Sequence, residues 1–440
     1  MDDKEKLRSL VSDYLEKFDN LGYEINDELR KAILMAEFSD KNIIVSGSAG
    51  TGKSTFIDLI RKNSKKNFVV LAPTGVAAVN IKGMTVHSFF HMQHGVVNKF
   101  AVNKGNKDLV MNLDAIIIDE ISMVRADMMD AIDYQLRELT ENHEKPFGGI
   151  KIIAVGDLFQ LPPIVKKGSP DESYIKDNFY SPWFFSAPEI GKFTIIELNK
   201  VYRQNEDNFV EILNKIRIGK QSFNDLKYIN KRVIKEEDFG DNYIYLTTTN
   251  RVADKINAER LNELKGDSHF FHASTKGDFP PNLFPAQEII ELKEGSQVMM
   301  LRNHLGGYSG GEWHNGEIGE VIGFDKFDID ILLNGRMIRV GMENWSNVEY
   351  KLKDGKIQLV EIGTFSQFPV KLAWAITIHK SQSKTYDKVY IDLGNGAFSA
   401  GQTYVALSRC KTLDGIGLKY KIERRDIIVD RILKENFVNT

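Results

Sequence analysis

The stretch GSAGTGKS, Gly47 to Ser54, constrains this 440-residue chain more than any other. It lies between the apolar run Ile43–Val45 and the mixed segment TFIDLIRK, so it reads as strand, glycine loop and helix. The pattern is G-x-x-x-x-G-K-[ST]. Its glycines let successive backbone N–H groups curl around phosphate oxygens, and the helix start after Gly52 adds favourable dipole charge. Gly47, Ser48, Ala49, Gly50, Thr51, Gly52, Lys53, Ser54 and Thr55 are therefore expected to hold the phosphates of a nucleoside triphosphate. Lys53 is expected to reach the β- and γ-phosphates, and Ser54 to hold Mg²⁺.

The surrounding pattern extends the α/β reading. NIIVSG, NFVVLAPT, AIIIDE, KIIAVGD and FTIIELN are short, nearly unbroken Ile/Val-rich runs separated by helical segments. Such runs suit strands buried on both faces of a parallel sheet. NYIYLTTTN and DKVYIDL suggest a second sheet of the same kind. Between them the texture changes: GSQVMMLRNHLGGYSGGEWHNGEIGEVIGF carries the hairpin signal Asn315-Gly316. A small β-barrel or sandwich is expected there, inserted in the second domain. KLKDGKIQ reads as a solvated hairpin. The expected division is a helical segment over residues 1–40, a first domain over 41–199, a second over 200–294 and 364–440, and the insertion over 295–363. Residues 91–110 could form a small wedge within the first domain. At the N-terminus, Leu7, Val11, Leu15 and Phe18 repeat at helical spacing, with Leu10 and Tyr14 on the same face.

The strand ends carry carboxylates. Asp119 closes AIIID and is expected beside Ser54 as an indirect Mg²⁺ ligand. Glu120 follows it, placed to orient or deprotonate water. Gln160, after Gly156-Asp157 at the end of another strand, can sense the γ-phosphate. His87 alone would read as an ordinary core or surface histidine, and the clustered aromatics Phe89, Phe90, Trp183, Phe184 and Phe185 as core. Cys410 is the only cysteine, which excludes an intrachain disulfide and a cysteine-based zinc site. No apolar run is long enough to span a bilayer, and the charged start MDDKEKLRSL lacks the apolar core of a signal peptide. An intracellular place, with no membrane partner, is the default expectation. The net charge of −3 neither supports nor excludes nucleic acid, because 58 Lys and Arg residues can still gather along one groove.

The order of GSAGTGKS, LAPTGVAA, TVHSFF, IIIDEISM, GDLFQLPPI, LNKVYRQ, WAITIHKSQS and TYVALSRC resembles that of superfamily-one DNA helicases, and within them the petite-integration-frequency (Pif) family. The segment Asp127–Ile150 is similar to that family's signature. The resemblance covers roughly residues 20 to 425. It implies two RecA-like domains with ATP between them, an SH3-like insertion as in the RecD-like cousins, and 5′-to-3′ movement on single-stranded DNA up to and through duplex junctions. A monomer is the expected acting form. It also implies that Thr74, Val76, His87, Thr377 and His379 face DNA, and that Arg203 and Arg409 approach the γ-phosphate. Two positions depart from the family pattern. Leu29 stands where a glutamine usually reads adenine, which leaves ATP selectivity open. Ser383 replaces the glycine of HKSQG, which could stiffen that loop. A nucleotide-gated binding protein would need neither Glu120 nor the two arginines, and a P-loop kinase would not need two RecA-like halves. RNA in place of DNA stays open.

Overall fold

The computed structural model describes residues 14, 16 and 25–438, apart from 94, 189, 205, 241, 305–312, 326 and 383. The expected helical pattern before residue 25 lies outside them except at positions 14 and 16, as do most of the GGYSGGEW tip and Ser383. Tyr14 is buried, with its hydroxyl 3.4 Å from Glu37 Oε2 and its ring edge-on to Phe38.

Helix α1 (Asp27–Phe38) starts where Asn26 accepts a hydrogen bond from the Leu29 N–H, a side-chain cap for one of the free donors at the helix start. It buries Leu29, Ala32, Ile33 and Ala36 against the first sheet. That sheet has six parallel strands in the order β3-β2-β4-β5-β1-β6. They are β1 (Ile43–Gly47), β2 (Phe68–Ala72), β3 (Met84–Thr85), β4 (Ala115–Ile118), β5 (Lys151–Gly156) and β6 (Thr194–Leu198). All lie within residues 41–199. The alternation inside one strand explains its unbroken apolar run. In β1, Ile44 enters the core on one face while Ile43 and Val45 enter the core on the other. Helices α2 (Lys53–Asn63), α3 (Gly75–Asn80), α4 (Val86–Phe90) and α5 (Ala126–Thr140) complete this half. Phe89, Phe90, Trp183 and Phe184 are buried, the core role expected of them.

After α6 (Asp207–Ile218) the chain opens a second sheet with β7 (Ile244–Thr247) and leaves it for an antiparallel region. There β8 (His269–His272) pairs with β10 (Ile289–Leu292), and β9 (Ser274–Gly277) pairs with a later long strand. A five-stranded sheet runs β14-β13-β12-β11-β17, from β11 (Gln297–Met300), β12 (Ile318–Phe324), β13 (Asp328–Leu333), β14 (Arg336–Gly341) and β17 (Val370–Leu372). Between β14 and β17 projects a long hairpin, β15 (Glu343–Lys353) and β16 (Lys356–Gln367). The chain then returns as β18 (Ala375–Thr377), β19 (Val389–Asp392), α7 (Gln402–Leu407) and β20 (Ile416–Leu418), giving a parallel sheet β18-β7-β19-β20. The antiparallel strands thus begin before residue 295 and end after residue 363. The reason is pairing: β11 needs β17, and β16 needs β9.

The lysine-containing hairpin tip is largely exposed, but the hairpin also reaches the first sheet. β3 pairs with β2 only at Leu71 and Ala72, which leaves the backbone of Val70 open on that side. Tyr350 fills the gap: its hydroxyl accepts from Val70 N–H at 2.8 Å and lies 3.3 Å from the Val70 carbonyl. Its ring packs edge-on to Phe89, and the Gly355 carbonyl accepts from Asn67 Nδ2 at 3.2 Å. Tyr350→Phe keeps the ring and strands that buried backbone N–H. It is expected to cost about 1–3 kcal/mol, read as a lowered midpoint in urea. An unchanged midpoint would mean that the hairpin is held by its ring alone.

Candidate ATP site and DNA-facing loops

The phosphate loop joins β1 to α2, at the C-terminal edge of the first sheet, where open α/β sheets bind ligands. Gly50 and Gly52 have φ of +82° and +92°, a region that disfavours other residues. Gly50 also faces Arg203, whose Cβ would collide with any Cβ at position 50, and the Gly50 carbonyl accepts from Tyr202 N–H at 2.9 Å. Lys53 Nζ donates to the carbonyls of Gly47 and Ser48, both at 2.8 Å. Burial pushes the Lys53 amine down, and the charges of Asp157 and Glu120 oppose that push. Ser54, on the first turn of α2, is exposed.

Asp119 and Glu120 follow β4, beside β2 and β5. Glu120 adopts a left-handed backbone, φ +49°, a costly geometry for a residue with a Cβ. Burial, with the neighbouring Glu120 charge, raises the Asp119 carboxyl to about 7, and Lys53 pulls the other way. A divalent cation would reverse that balance in favour of the carboxylate. Glu120 Oε2 accepts from Gln382 Nε2 at 3.1 Å, so the second half of the chain touches the expected base.

Gln160 is buried, with Nε2 at 3.4 Å from Asp157 Oδ2. Asp157 is a hub. It accepts from Arg217 Nε at 2.9 Å, from Phe159 N–H at 3.2 Å and from the Tyr404 hydroxyl at 2.9 Å. Arg203 is held among these groups. Its Nη1 is buried without a hydrogen-bond partner, and burial, with the nearby Arg409 charge, lowers its guanidinium to about 9. Arg409, unlike the half-buried Arg203, is fully buried, and its donors are engaged within the second half. Nε meets the Val405 carbonyl, Nη1 the carbonyls of Ser381 and Lys384, and Nη2 the Ser408 hydroxyl, at 2.8 to 3.2 Å.

This donor set fits a nucleoside triphosphate with a divalent cation. It combines an unpaired buried guanidinium nitrogen beside a glycine loop, an ammonium, an exposed hydroxyl and two strand-end carboxylates. Arg217, Tyr404 and Gln382 were not singled out by sequence reasoning. Tyr404 and Gln382 lie inside motif-like strings, but nothing in the α6 sequence marks Arg217.

The expected DNA-facing residues fall into two groups. Thr74 caps α3, accepting from Ala77 N–H at 3.3 Å, and Val76 is 53% exposed on that helix. His87 is half-buried on α4, which follows the neighbouring strand β3. The other group follows β18: Thr377 is buried and accepts from Lys380 N–H at 3.2 Å, while His379 is half-buried, its imidazole pushed down by burial. β3 and β18 are edge strands of their sheets; Thr74 and Val76 lie between β2 and β3, three or more strands from β1 in the first sheet, while His379 lies three residues before Gln382, which reaches Glu120. Lys371 and Lys384 carry amines that burial lowers to about 7 and about 8. Lys371 feels the like charges of Lys384 and Lys380.

Comparison with known proteins agrees with this layout. Residues 24–227 match the model of the PIF1-like helicase family. An ATP-dependent DNA helicase Pif1 of Bdellovibrio bacteriovorus is 31% identical over 410 residues, covering 89% of this chain and 87% of the relative. The chain belongs to the PIF1-like helicase family. Human ATP-dependent DNA helicase PIF1 is 32% identical over 88% of this chain, and the chain spans 60% of that relative's length. The Bacteroides sp Pif1 structure in complex with ADP-AlF4 is 36% identical, covers 94% of this chain and 96% of that one, and superposes with a TM-score of 0.86. The same protein bound to ssDNA, with the same identity and coverage, superposes with a TM-score of 0.68. The fold is therefore that of the PIF1-like helicases, with two RecA-like parallel sheets. Leu29, the residue that the resemblance sets at an adenine-reading position, is 5% exposed and packed in the core, so its side chain offers a base no hydrogen bond. Among the described residues no helix is long and apolar enough to cross a membrane.

Proposed function

We propose that this chain is an ATP-driven helicase that moves along single-stranded DNA and separates duplex at single-strand junctions. The observation that carries the reading is that one site is built from both parallel sheets. Glu120 of the first is bonded to Gln382 of the second, and Asp157 of the first to Tyr404 of the second. A change in phosphate occupancy there must bear on how the two halves meet, and the segments after β3 and β18 move with those halves. The DNA-facing roles of Thr74, Val76, His87, Thr377 and His379 belong to this proposal. So do 5′-to-3′ movement, action as a monomer and the use of Mg²⁺. The ssDNA complex of the Bacteroides relative supports DNA as the track.

In this mechanism Lys53 and Arg203 stabilise negative charge on the β- and γ-phosphate oxygens as the terminal phosphoryl group leaves. Glu120 orients the attacking water and takes its proton. Ser54 and Asp119 would hold Mg²⁺, which when bound neutralises charge on the same oxygens. Gln160 senses the γ-phosphate, and its hydrogen bond to Asp157 passes the change to the second half. The test is ATPase with and without single-stranded DNA, followed by strand separation on duplexes tailed at either end, with RNA tails as the comparison. Stimulation without separation would reduce the protein to a translocase, and faster turnover with RNA would change the track.

Glu120→Gln keeps the shape and the acceptor oxygen but removes the base. It is expected to bind nucleotide within about threefold of the parent and to hydrolyse at least about a hundredfold more slowly. Loss of nucleotide binding would make Glu120 a structural residue at its left-handed bend.

A further inference from the structure

Among the buried polar side chains to which the mechanism above gives no task, Tyr404 joins the two halves. Tyr404 is 3% exposed on α7, in the second half of the chain, yet both hydrogen-bond partners of its hydroxyl belong to the first half. It accepts from the Ala49 N–H of the phosphate loop at 3.1 Å and donates to Asp157 Oδ2 at 2.9 Å. We propose that Tyr404 is a positioning residue whose hydroxyl fixes the phosphate loop and the strand-end carboxylate Asp157 to the second RecA-like domain.

Three features favour this over a tyrosine that merely found partners on burial. First, the contact is built into the backbone. Gly401, at the start of α7 with φ +72°, abuts the backbone of Phe159 and Gln160 so closely that a Cβ would collide with both carbonyls. Only glycine lets α7 come near enough for Tyr404 to reach Asp157. Second, Asp157 is saturated. Its two oxygens take Phe159 N–H, Arg217 Nε, Gln160 Nε2 and the Tyr404 hydroxyl, which matches the four lone-pair sites of a carboxylate. Gln160 and Tyr404 both donate to Oδ2, so a movement of Gln160 alters the acceptor that Tyr404 holds. Third, the two ends of the tyrosine bridge lie after β1 and β5, which are hydrogen-bonded neighbours in the first sheet. The hydroxyl thus closes a circuit from Gln160 through Asp157 and Tyr404 to Ala49. Through it the second domain holds the loop in register, and a change at Gln160 returns to the loop that grips phosphate.

The inference rests on the proposed ATPase reading only for its kinetic consequence. Tyr404→Phe keeps the ring and deletes the hydroxyl. In nucleotide-free protein, amide exchange of the 47–52 segment is expected to rise roughly tenfold, because Ala49 N–H loses its acceptor. With nucleotide, affinity for a fluorescent ATP analogue should stay within about threefold while ssDNA-stimulated kcat falls about tenfold or more. The effect of that analogue on ssDNA affinity should fade with it. A residue that only fills space would move none of these once the ring is kept, so parental exchange and parental kcat would overturn the proposal. Should Tyr404→Phe fail to fold, Gly401→Ala tests the same contact by pushing α7 away from Phe159 and Gln160. It should raise exchange at Ala49 by a similar factor, and unchanged exchange there would also overturn the proposal. If the parent protein shows no ssDNA-stimulated turnover, the helicase reading fails, and the exchange comparison still decides the role of Tyr404.

Discussion

Lys53→Ala is expected to bring ATP turnover down at least about 10³-fold. The ammonium is the positive point charge at the base of the loop, held by the Gly47 and Ser48 carbonyls and facing Asp157 and Glu120. Its burial has a consequence for stability. Desolvation is the largest influence on the Lys53 amine and lowers its proton affinity, so the folded protein carries that charge at a cost. Removing it relieves the cost, while the Ser48 carbonyl keeps the Thr51 hydroxyl as a donor at 3.0 Å. The variant is therefore expected to melt no lower than the parent while losing activity. Differential scanning fluorimetry and a steady-state ATPase assay on one preparation check both halves. Residual turnover within tenfold of the parent would remove this loop from the chemistry. A large fall in melting temperature would mean that Lys53 chiefly braces the loop.

Most of the site was legible because it depends on local chemistry. A phosphate loop needs glycines at positive φ, and Gly50 and Gly52 have them. Carboxylates at the ends of buried strands announce themselves by interrupting apolar runs, as Asp119 and Asp157 do. What stayed hidden depends on contacts between distant segments. Arg217 lies on an amphipathic helix where an arginine looks like any solvated charge, yet it is buried against Asp157, 60 residues away, and stacks over Phe159. Tyr404 reaches Ala49 across 355 residues. Tyr350 stands just before KLKDGKIQ, the run read as a solvated hairpin, and strand alternation says which face a side chain takes and not what it will meet. The edges of the β insertion were hidden for the same reason. Antiparallel pairing of β11 with β17 is non-local, and Pro369 marks a break between β16 and β17 without saying which sheet the next strand joins.

Arg203→Ala and Arg409→Ala are expected to part company, although both arginines approach the same nucleotide in the sequence reading. Arg203 is half-buried beside the phosphate loop, its buried Nη1 has no hydrogen bond, and desolvation lowers its proton affinity. Such a group opposes folding until an anion arrives. An arginine that meets phosphoryl charge in the transition state contributes about 10³–10⁵ in rate. Arg203→Ala should thus lower ssDNA-stimulated turnover by at least about 10³-fold, keep nucleotide affinity within about tenfold, and leave the melting temperature equal or higher. Arg409 stands differently. Its guanidinium ties the Ser381 and Lys384 carbonyls, in the loop after β18, to α7 and Ser408, all inside the second domain. Removing it empties a fully buried site and leaves the Lys384 carbonyl without its donor, while the Val405 and Ser381 carbonyls keep Ser408 Oγ and Lys384 N–H, at a cost of about 3 kcal/mol or more. Arg409→Ala should lower turnover by at least about a hundredfold and also lower stability, whereas Arg203→Ala loses rate alone. The measurement is paired for each variant: urea unfolding, nucleotide titration and ATPase with ssDNA. If Arg409→Ala keeps full stability and loses only rate, its guanidinium leaves those carbonyls for the phosphate during turnover. If Arg203→Ala keeps normal turnover, the unpaired nitrogen beside Gly50 serves no phosphate, and the cleft between the two sheets is not the catalytic one.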